Sequence, residues 1–208
     1  MPNSDIPFAD LLATHGVEET SVIRSARIGF TAYHGGELEK VTDIVAAEAA
    51  ERSGASYYGV TQTIDPIHHI ASARIGSEAS DTMAAFIDHV DVVITVHGYG
   101  LKTMWKALLL GGQNRELAAH VASHLRPALP DYEIVDDLEE VPKRLRGQHQ
   151  QNPVNLPRQQ GVQIELPPTV RWNVEGQHWS DYGNGGRAPQ TEMLINALAE
   201  SATAWIDG

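Results

Sequence analysis

Apolar positions along the chain change repeatedly from an alternating period to a helical one, which predicts alternating strands and helices. In residues 26–36 (ARIGFTAYHGG), apolar positions alternate with glycine and threonine, as in a buried strand that ends at His34. Residues 37–52 place apolar side chains at helical spacing, and the Ser53-Gly54 pair ends that predicted helix. Residues 55–63 (ASYYGVTQT) form a second predicted strand.

The same alternation continues through the rest of the chain. We predict helices over residues 79–89, 114–125, 136–146 and 188–206, and strands over 91–96, 105–112, 132–135 and 161–167. The fold class is therefore α/β, a single domain over residues 1–208 with a mixed, mostly parallel sheet and helices on both faces.

Two segments carry no regular period. Residues 147–160 (GQHQQNPVNLPRQQ) are rich in Gln, Asn and Pro and predict a long loop, a kind of segment that is often functional. Residues 172–187 are glycine-rich and irregular. For Trp172 and Trp179 in this segment, packing is favoured slightly over lining a substrate groove.

The composition restricts the metal ligands and the binding partners that the chain can use. The 208 residues include no cysteine, so a metal site must use His, Asp or Glu. A net charge of -12 with scattered basic residues disfavours nucleic acid, and an acidic substrate would require locally placed positive charge. No apolar run is long enough to span a membrane, and residues 1–16 lack the features of a secretory signal. We therefore expect a cytoplasmic protein, which cell lysis would release. We also expect a monomer, because one chain suffices for the chemistry described below.

Two predicted strands each end in a histidine followed by glycine, at His34 and His97. The carboxyl ends of strands in an open α/β sheet are where ligands bind, so a shared site is predicted there. Two imidazoles and one carboxylate form the ligand set of many catalytic zinc sites. Both Glu37 and Glu39 follow His34 closely enough to supply the carboxylate.

The remaining histidines are assigned lesser roles. His68 and His69 are adjacent in a loop, so at most one is expected to face the site. The others are predicted to be surface or helix residues, namely His15, His89, His120, His124, His149 and His178.

Five sequence blocks point to a known family. In order they are HGGELEKVT, HHIASARIGSEAS, VITVHG, GGQNREL and NPVNLPRQQGVQIELPPTVR, and together they run from about residue 26 to about residue 171. They resemble the blocks of the phage-type poly-γ-glutamate hydrolase family, which are zinc peptidases with a carboxypeptidase-like α/β fold. The resemblance covers most of the chain.

The resemblance implies roles for individual residues. His34 and Glu39 match the histidine and glutamate of the family pattern H-G-G-G-I-E-P-G-T and, with His97, become the implied zinc ligands. Glu165 takes the place of the catalytic base. The chain departs from the pattern at Glu37, Lys40 and Val41, where the family usually has Gly, Pro and Gly, and Glu37 stays the reserve ligand.

A γ-glutamyl substrate carries free carboxylates, which arginine and asparagine side chains bind well. Arg171 matches the arginine that closes the last block and ranks first. The other candidates for substrate contact are Arg158, Asn155, Arg115 and Asn114, although Asn114 and Arg115 at the start of a predicted helix fit a structural cap equally well.

The sequence thus predicts a Zn²⁺-dependent hydrolase of γ-glutamyl amide bonds, most simply those of poly-γ-glutamate or a γ-glutamyl peptide. Two alternatives stay open. One is a zinc amidase or peptidase for peptidoglycan stem peptides, and the other is a non-catalytic α/β protein that binds a metal or ligand.

Overall fold

The computed structural model describes residues 4–182 and 186–207, and a seven-stranded sheet lies at its centre. The strands are β1 (Val17–Val22), β2 (Ile28–Gly36), β3 (Ser56–Gln62), β4 (Val92–Gly98), β5 (Ala107–Leu110), β6 (Glu133–Val135) and β7 (Gly161–Leu166). Their order across the sheet is β1-β3-β2-β4-β7-β5-β6. The central strands β3, β2, β4 and β7 run parallel, while β1 and the β5–β6 pair run the opposite way. This confirms the mixed, mostly parallel sheet.

Helices cover both faces of this sheet, as predicted. They are α1 (Phe8–Leu12), α2 (Thr42–Ser53), α3 (Asp81–His89), α4 (Arg115–Ala128), α5 (Pro168–Arg171) and α6 (Pro189–Asp207). Helices α2, α4 and α6 pack with Phe30, Ile94 and Ile164 in the larger core, and α1 and α3 pack with Tyr58 on the other face. None of the helices in the described residues is both long and apolar enough to cross a membrane.

The central strands are buried on both faces, which explains their apolar sequences. In β4, Ile94 belongs to the core beneath α2 and α6, whereas its neighbour Val93 packs with α1 and α3. A strand covered on both sides needs apolar residues at every position instead of at alternate ones. Ionisable residues within such strands therefore stand out, and His34, His97 and Glu165 occur where β2, β4 and β7 end.

Two of the helix predictions are wrong, one in where the helix starts and one in that no helix forms. The helix expected from residue 37 begins only at Thr42, after a loop that the site requires. Residues 136–146 form no α-helix, because the Asp137 side chain accepts from Glu139 N at 2.9 Å in a turn and Pro142 interrupts the segment. A single 3₁₀ turn follows at Lys143–Leu145.

Some elements were not predicted. Strand β1 (VEETSV) is a polar edge strand paired only on one side, so its sequence lacks the apolar run of the central strands. Within the region expected to be irregular, β8 (Trp172–Asn173) and β9 (His178–Trp179) form a short hairpin. Residues 183–185 of that region lie outside the described residues.

Candidate active site

Three side chains meet at the edge of the sheet where β2 and β4 end. The rings of His34 and His97 have centroids 4.9 Å apart. The carboxylate of Glu39 lies between them, with Oε1 3.0 Å from His34 Nδ1 and Oε2 3.2 Å from His97 Nδ1. One ligand atom from each of the three residues lies within 4.8 Å of the others. The structure thus brings together the three residues that the sequence selects as ligands.

A tight loop after β2 returns Glu39 to the histidines. Glu39 N donates to His34 O at 2.9 Å, and Gly98 N on the neighbouring strand donates to Glu39 Oε2 at 2.8 Å. The loop passes through Gly36 at φ 70°, where a Cβ would lie 2.5 Å from the Gln62 carbonyl oxygen. Only glycine fits that position. A helix starting at residue 37 would not allow this path.

The loop ends at Val41, whose φ of 78° is left-handed. A β-branched residue is strained in this conformation, and this is one of the positions where the related family usually has glycine. Val41 is fully buried in the larger core, so its side-chain contacts offset the strain. Helix α2 then starts at Thr42, whose hydroxyl donates to Glu39 O at 2.7 Å.

The contacts of the two histidines fit a bound cation. His34 Nε2 lies 2.8 Å from Ile70 O and therefore carries the proton, so that in the neutral ring the Nδ1 lone pair faces the Glu39 carboxylate. Two such acceptors repel each other, so this contact calls for a positive charge between them, either a proton on Nδ1 or a bound cation. His97 Nε2 is buried and has no hydrogen-bond partner among the described residues. Two imidazoles and one carboxylate suit zinc, and a carbonyl on the second ring nitrogen orients a ligating histidine.

The same cluster is electrostatically coupled. Burial alone would raise the pKa of Glu39, but the charges and hydrogen bonds of His34 and His97 hold it well below its usual range. Burial alone would lower the pKa of His97, yet Glu39 raises it. Glu39 and His97 therefore stabilise each other's charged forms.

Glu37 does not join this cluster. Its carboxylate lies 2.6 Å from Lys40 Nζ, and 42% of its side chain is exposed. This carboxylate points to solvent and is already neutralised by an ammonium group, so it is not positioned to bind a metal at the sheet edge. The structure places Glu39, and not the reserve ligand, between the histidines.

Glu165 lies on β7 directly opposite His97 of β4. It is 4% exposed, so it is not the exposed strand residue that a polar pattern would indicate. Gln163 Nε2 donates to Glu165 Oε1 at 2.8 Å, and Asn152 Nδ2 donates to Gln163 Oε1 at 2.9 Å. Burial raises the pKa of Glu165 to about 7. A carboxyl group with this pKa can both accept and release a proton near neutral pH.

A cavity of about 1010 Å³ opens over these groups. His34, Glu39, His97 and Glu165 line it, and so does Asn152 of the loop predicted over residues 147–160. The loop thus contributes to the site, as long ordered loops often do. The cavity lies at the carboxyl ends of the parallel strands, where open α/β sheets bind ligands.

Of the five predicted substrate-binding residues, Arg171 lines this cavity. Its guanidinium is buried, donates to Lys40 O at 2.7 Å and lies 5.1 Å from the centre of the Trp179 ring. Gly98 permits this position, because a Cβ there would lie 2.7 Å from the guanidinium. Burial lowers the pKa of Arg171, which nevertheless stays a cation.

The other four are not among the residues that line the cavity, and their contacts lie elsewhere. Arg158 pairs with Asp91 at 3.2 Å, at the opposite end of β4. Arg115 donates to backbone carbonyls, including that of Gly111 at 2.9 Å, and Asn114 caps α4 by accepting from Leu117 N at 2.8 Å. Asn155 donates to Gly147 O and His149 O at 2.7 and 2.9 Å. All four stabilise loops and helix ends.

Several lining residues were not selected from the sequence. His69 lies with its ring centroid 4.8 Å from that of His34, whereas His68 contacts Ser4 Oγ at 3.1 Å. Burial, followed by the charge of His34, lowers the pKa of His69 to about 4. Gln163 alternates with Ile164 in β7, and that alternation was the available signal for its position on the site's face.

Comparisons with known proteins identify the family. The model of a family described as poly-gamma-glutamate hydrolase matches residues 10–182, which confirms the resemblance read from the sequence blocks. A search of curated protein sequences finds no match to the chain.

Several solved structures share the fold. A bacteriophage poly-gamma-glutamate hydrolase is 19% identical, with a TM-score of 0.77 over 91% of this chain and 89% of that one. A structure described as zinc-free apo YndL is 18% identical, with a TM-score of 0.73 over 89% of each chain. A metallo-carboxypeptidase from Burkholderia cenocepacia is 8% identical, with a TM-score of 0.52 over 96% of this chain and 67% of that one. These likenesses confirm the carboxypeptidase-like fold.

Proposed function

This chain belongs to the poly-γ-glutamate hydrolase family, and we propose that it is a zinc-dependent hydrolase that cleaves the γ-glutamyl amide bonds of poly-γ-glutamate. The observation that carries the proposal is the Glu39 carboxylate held between the Nδ1 atoms of His34 and His97, with buried Glu165 on the adjacent strand. A three-residue ligand set with a titratable carboxyl group beside it is the arrangement of a metallopeptidase.

His34, Glu39 and His97 would hold the zinc. When bound there, zinc lowers the pKa of its water to about 7 and polarises the carbonyl of the scissile amide. Glu165 accepts the proton of the attacking water and returns it to the nitrogen of the leaving amine. General-base help of this kind contributes about 100-fold to 10,000-fold.

The protein keeps Glu165 ready for both proton transfers. Burial brings its pKa to about 7, near the pH of the reaction. The amide of Gln163 holds one carboxylate oxygen, and Asn152 in turn holds the oxygen of that amide. This buried chain restricts rotation of the carboxylate and leaves its other oxygen for the water.

Arg171 is proposed to bind a carboxylate or carbonyl of the substrate. A guanidinium has five N–H donors, and those of Arg171 reach the carbonyls of Lys40, Leu166 and Pro167. The backbone carbonyls fix the orientation of the group, and its remaining donors are available to a substrate in the cavity.

The test is zinc content together with amine release from poly-γ-glutamate, with and without a chelator. The proposal expects one zinc per chain and cleavage that stops on chelation and returns with zinc. Zinc without cleavage would reject the substrate and redirect the search to other amides, such as those of peptidoglycan stem peptides. Purification without zinc under loading conditions would reject the metallohydrolase itself.

A further inference from the structure

A pair of basic side chains borders the catalytic cavity on a turn that the sequence did not single out. Lys143 and Arg144 open the 3₁₀ turn Lys143–Leu145, and both are exposed and line the cavity. Within residues 4–182 and 186–207, neither side chain makes a hydrogen bond or an ion pair. Lys40, which also lines the cavity, is by contrast paired with Glu37. Lys143 and Arg144 thus present two uncompensated positive charges.

The turn that carries them is firmly held. Leu145 N donates to Pro142 O at 2.8 Å, and the Leu145 side chain packs against a small core that contains Tyr99 and Leu109. Arg146 Nε donates to Val141 O, also at 2.8 Å. The backbone position of both cations is therefore set by the fold, and only their side chains are free to adjust.

The turn lies next to the catalytic carboxylate. Gln163 Nε2 is 2.8 Å from Glu165 Oε1 and 3.3 Å from the carbonyl oxygen of Leu145. One side-chain amide thus connects the proposed base with the residue that follows Arg144. Lys143 and Arg144 therefore precede a residue that is linked to the proposed base, and all three of these charged side chains line the same cavity.

The cavity contains more cationic than anionic side chains. The described lining contains four cationic side chains, Lys40, Lys143, Arg144 and Arg171, and three carboxylates, Glu37, Glu39 and Glu165. The chain as a whole has a net charge of -12. A local positive surplus in a cleft of an acidic protein focuses the field and attracts an anionic ligand that the remaining surface repels.

We propose that Lys143 and Arg144 form a carboxylate-binding subsite that holds the free α-carboxylates of a γ-linked glutamyl chain beside the scissile bond. Each residue of such a chain carries one α-carboxylate, so two adjacent cations match two successive residues. Arginine grips a carboxylate with two hydrogen bonds, and lysine binds it as a point charge. The inference rests on the proposed function and adds how the substrate is recognised.

The test separates binding from turnover. We would measure the affinity of zinc-loaded Glu165→Gln protein for a γ-linked glutamate hexamer by calorimetry, adding Lys143→Gln, Arg144→Gln or both. Lys106→Gln is the matched control, because Lys106 is exposed, lies outside the cavity lining and forms no ion pair in the described part of the chain. The hexamer with amidated α-carboxylates is the ligand control.

Each single substitution at the turn is expected to weaken binding about twofold to fivefold, within the range of exposed charge pairs, and the loss should shrink at high salt. The control variant should bind as the parent does, and the amidated hexamer should bind all variants equally. If Lys143→Gln and Arg144→Gln match Lys106→Gln while the wild type cleaves poly-γ-glutamate, the subsite is wrong and the proposed function stands. If the wild type neither cleaves nor binds γ-glutamyl chains, the function itself fails, and the subsite with it.

Discussion

Replacing Gln163 with leucine tests whether Glu165 depends on its buried amide partner. The substitution keeps a similar volume but removes the 2.8 Å hydrogen bond to Glu165 Oε1 and the acceptor for Asn152 Nδ2. A hydrogen bond to a charged group is worth about 1.5–3 kcal/mol, and each 1.4 kcal/mol is a factor of ten. We therefore expect kcat to fall about tenfold to 100-fold while zinc content stays the same.

Stability should fall as well. Asn152 is buried, and its side-chain amide loses its acceptor, which costs about 1–3 kcal/mol. Urea unfolding measures this loss. Thr31→Val is the matched control, because it removes a buried 2.8 Å hydrogen bond to Thr95 in the same sheet without touching the site. It should lower the free energy of unfolding and leave kcat unchanged.

The pH profile gives a second readout. The hydrogen bond from Gln163 favours the ionised form of Glu165, and its loss should raise the pKa further above about 7. Because Glu165 must be ionised to accept a proton, the variant should lose most activity at acidic pH and regain part of it as the pH rises. If Gln163→Leu is destabilised like Thr31→Val but keeps the wild-type kcat and pH profile, the assigned positioning role is refuted.

Three further predictions concern the ligands, the base and a surface network. Glu39→Gln should abolish stoichiometric zinc binding, measured by metal analysis, and a zinc-loaded variant would contradict the ligand assignment. Glu165→Gln should retain zinc and lose about 100-fold to 10,000-fold in kcat; wild-type turnover would remove its role. Hydrogen bonds from Arg52 and Arg187 lower the pKa of Glu192 to about 2. The ionised Glu192 with its two arginine partners therefore stabilises the fold fully above pH 4.5, and this stabilisation decreases as the pH falls towards 2. Urea unfolding of Arg187→Gln should therefore show a loss of roughly 1 kcal/mol at neutral pH that shrinks in acid, and a pH-independent loss would contradict it.

Errors in the sequence-based reading arose where a side chain, and not the apolar period, decides the backbone. Residues 37–41 have helical spacing, but Glu39 must reach back to two histidines, so the helix starts at Thr42. Val141 and Leu145 lie four residues apart as in a helix, yet they are brought to one core by turns around Pro142. The spacing of apolar residues indicates which side chains are buried. Two side chains four residues apart can both be buried without the segment between them being helical.

Substrate contacts were the least accessible to sequence reasoning. Both Arg158 and Arg115 have guanidinium groups that could bind a substrate carboxylate. In the structure, however, Arg158 pairs with Asp91 and Arg115 donates to backbone carbonyls. Lys143 and Arg144 lie in a segment with no motif and line the cavity. Whether a cation is free or already paired depends on neighbours far away in the chain, and no local pattern records it.

The sequence by itself determined the α/β class, the pair of histidines at strand ends, and the glutamates at positions 39 and 165. Apolar periods and the His-Gly pairs, which act within a few residues of chain, indicate the fold class and the two histidines, whereas the two glutamates follow from the resemblance to the family's sequence blocks. Only the tertiary structure decided that Glu39 lies between His34 and His97, that Glu165 is buried with a raised pKa, and which cations face the cavity. Those properties depend on strand order, loop paths and desolvation, which arise from contacts between residues distant in sequence.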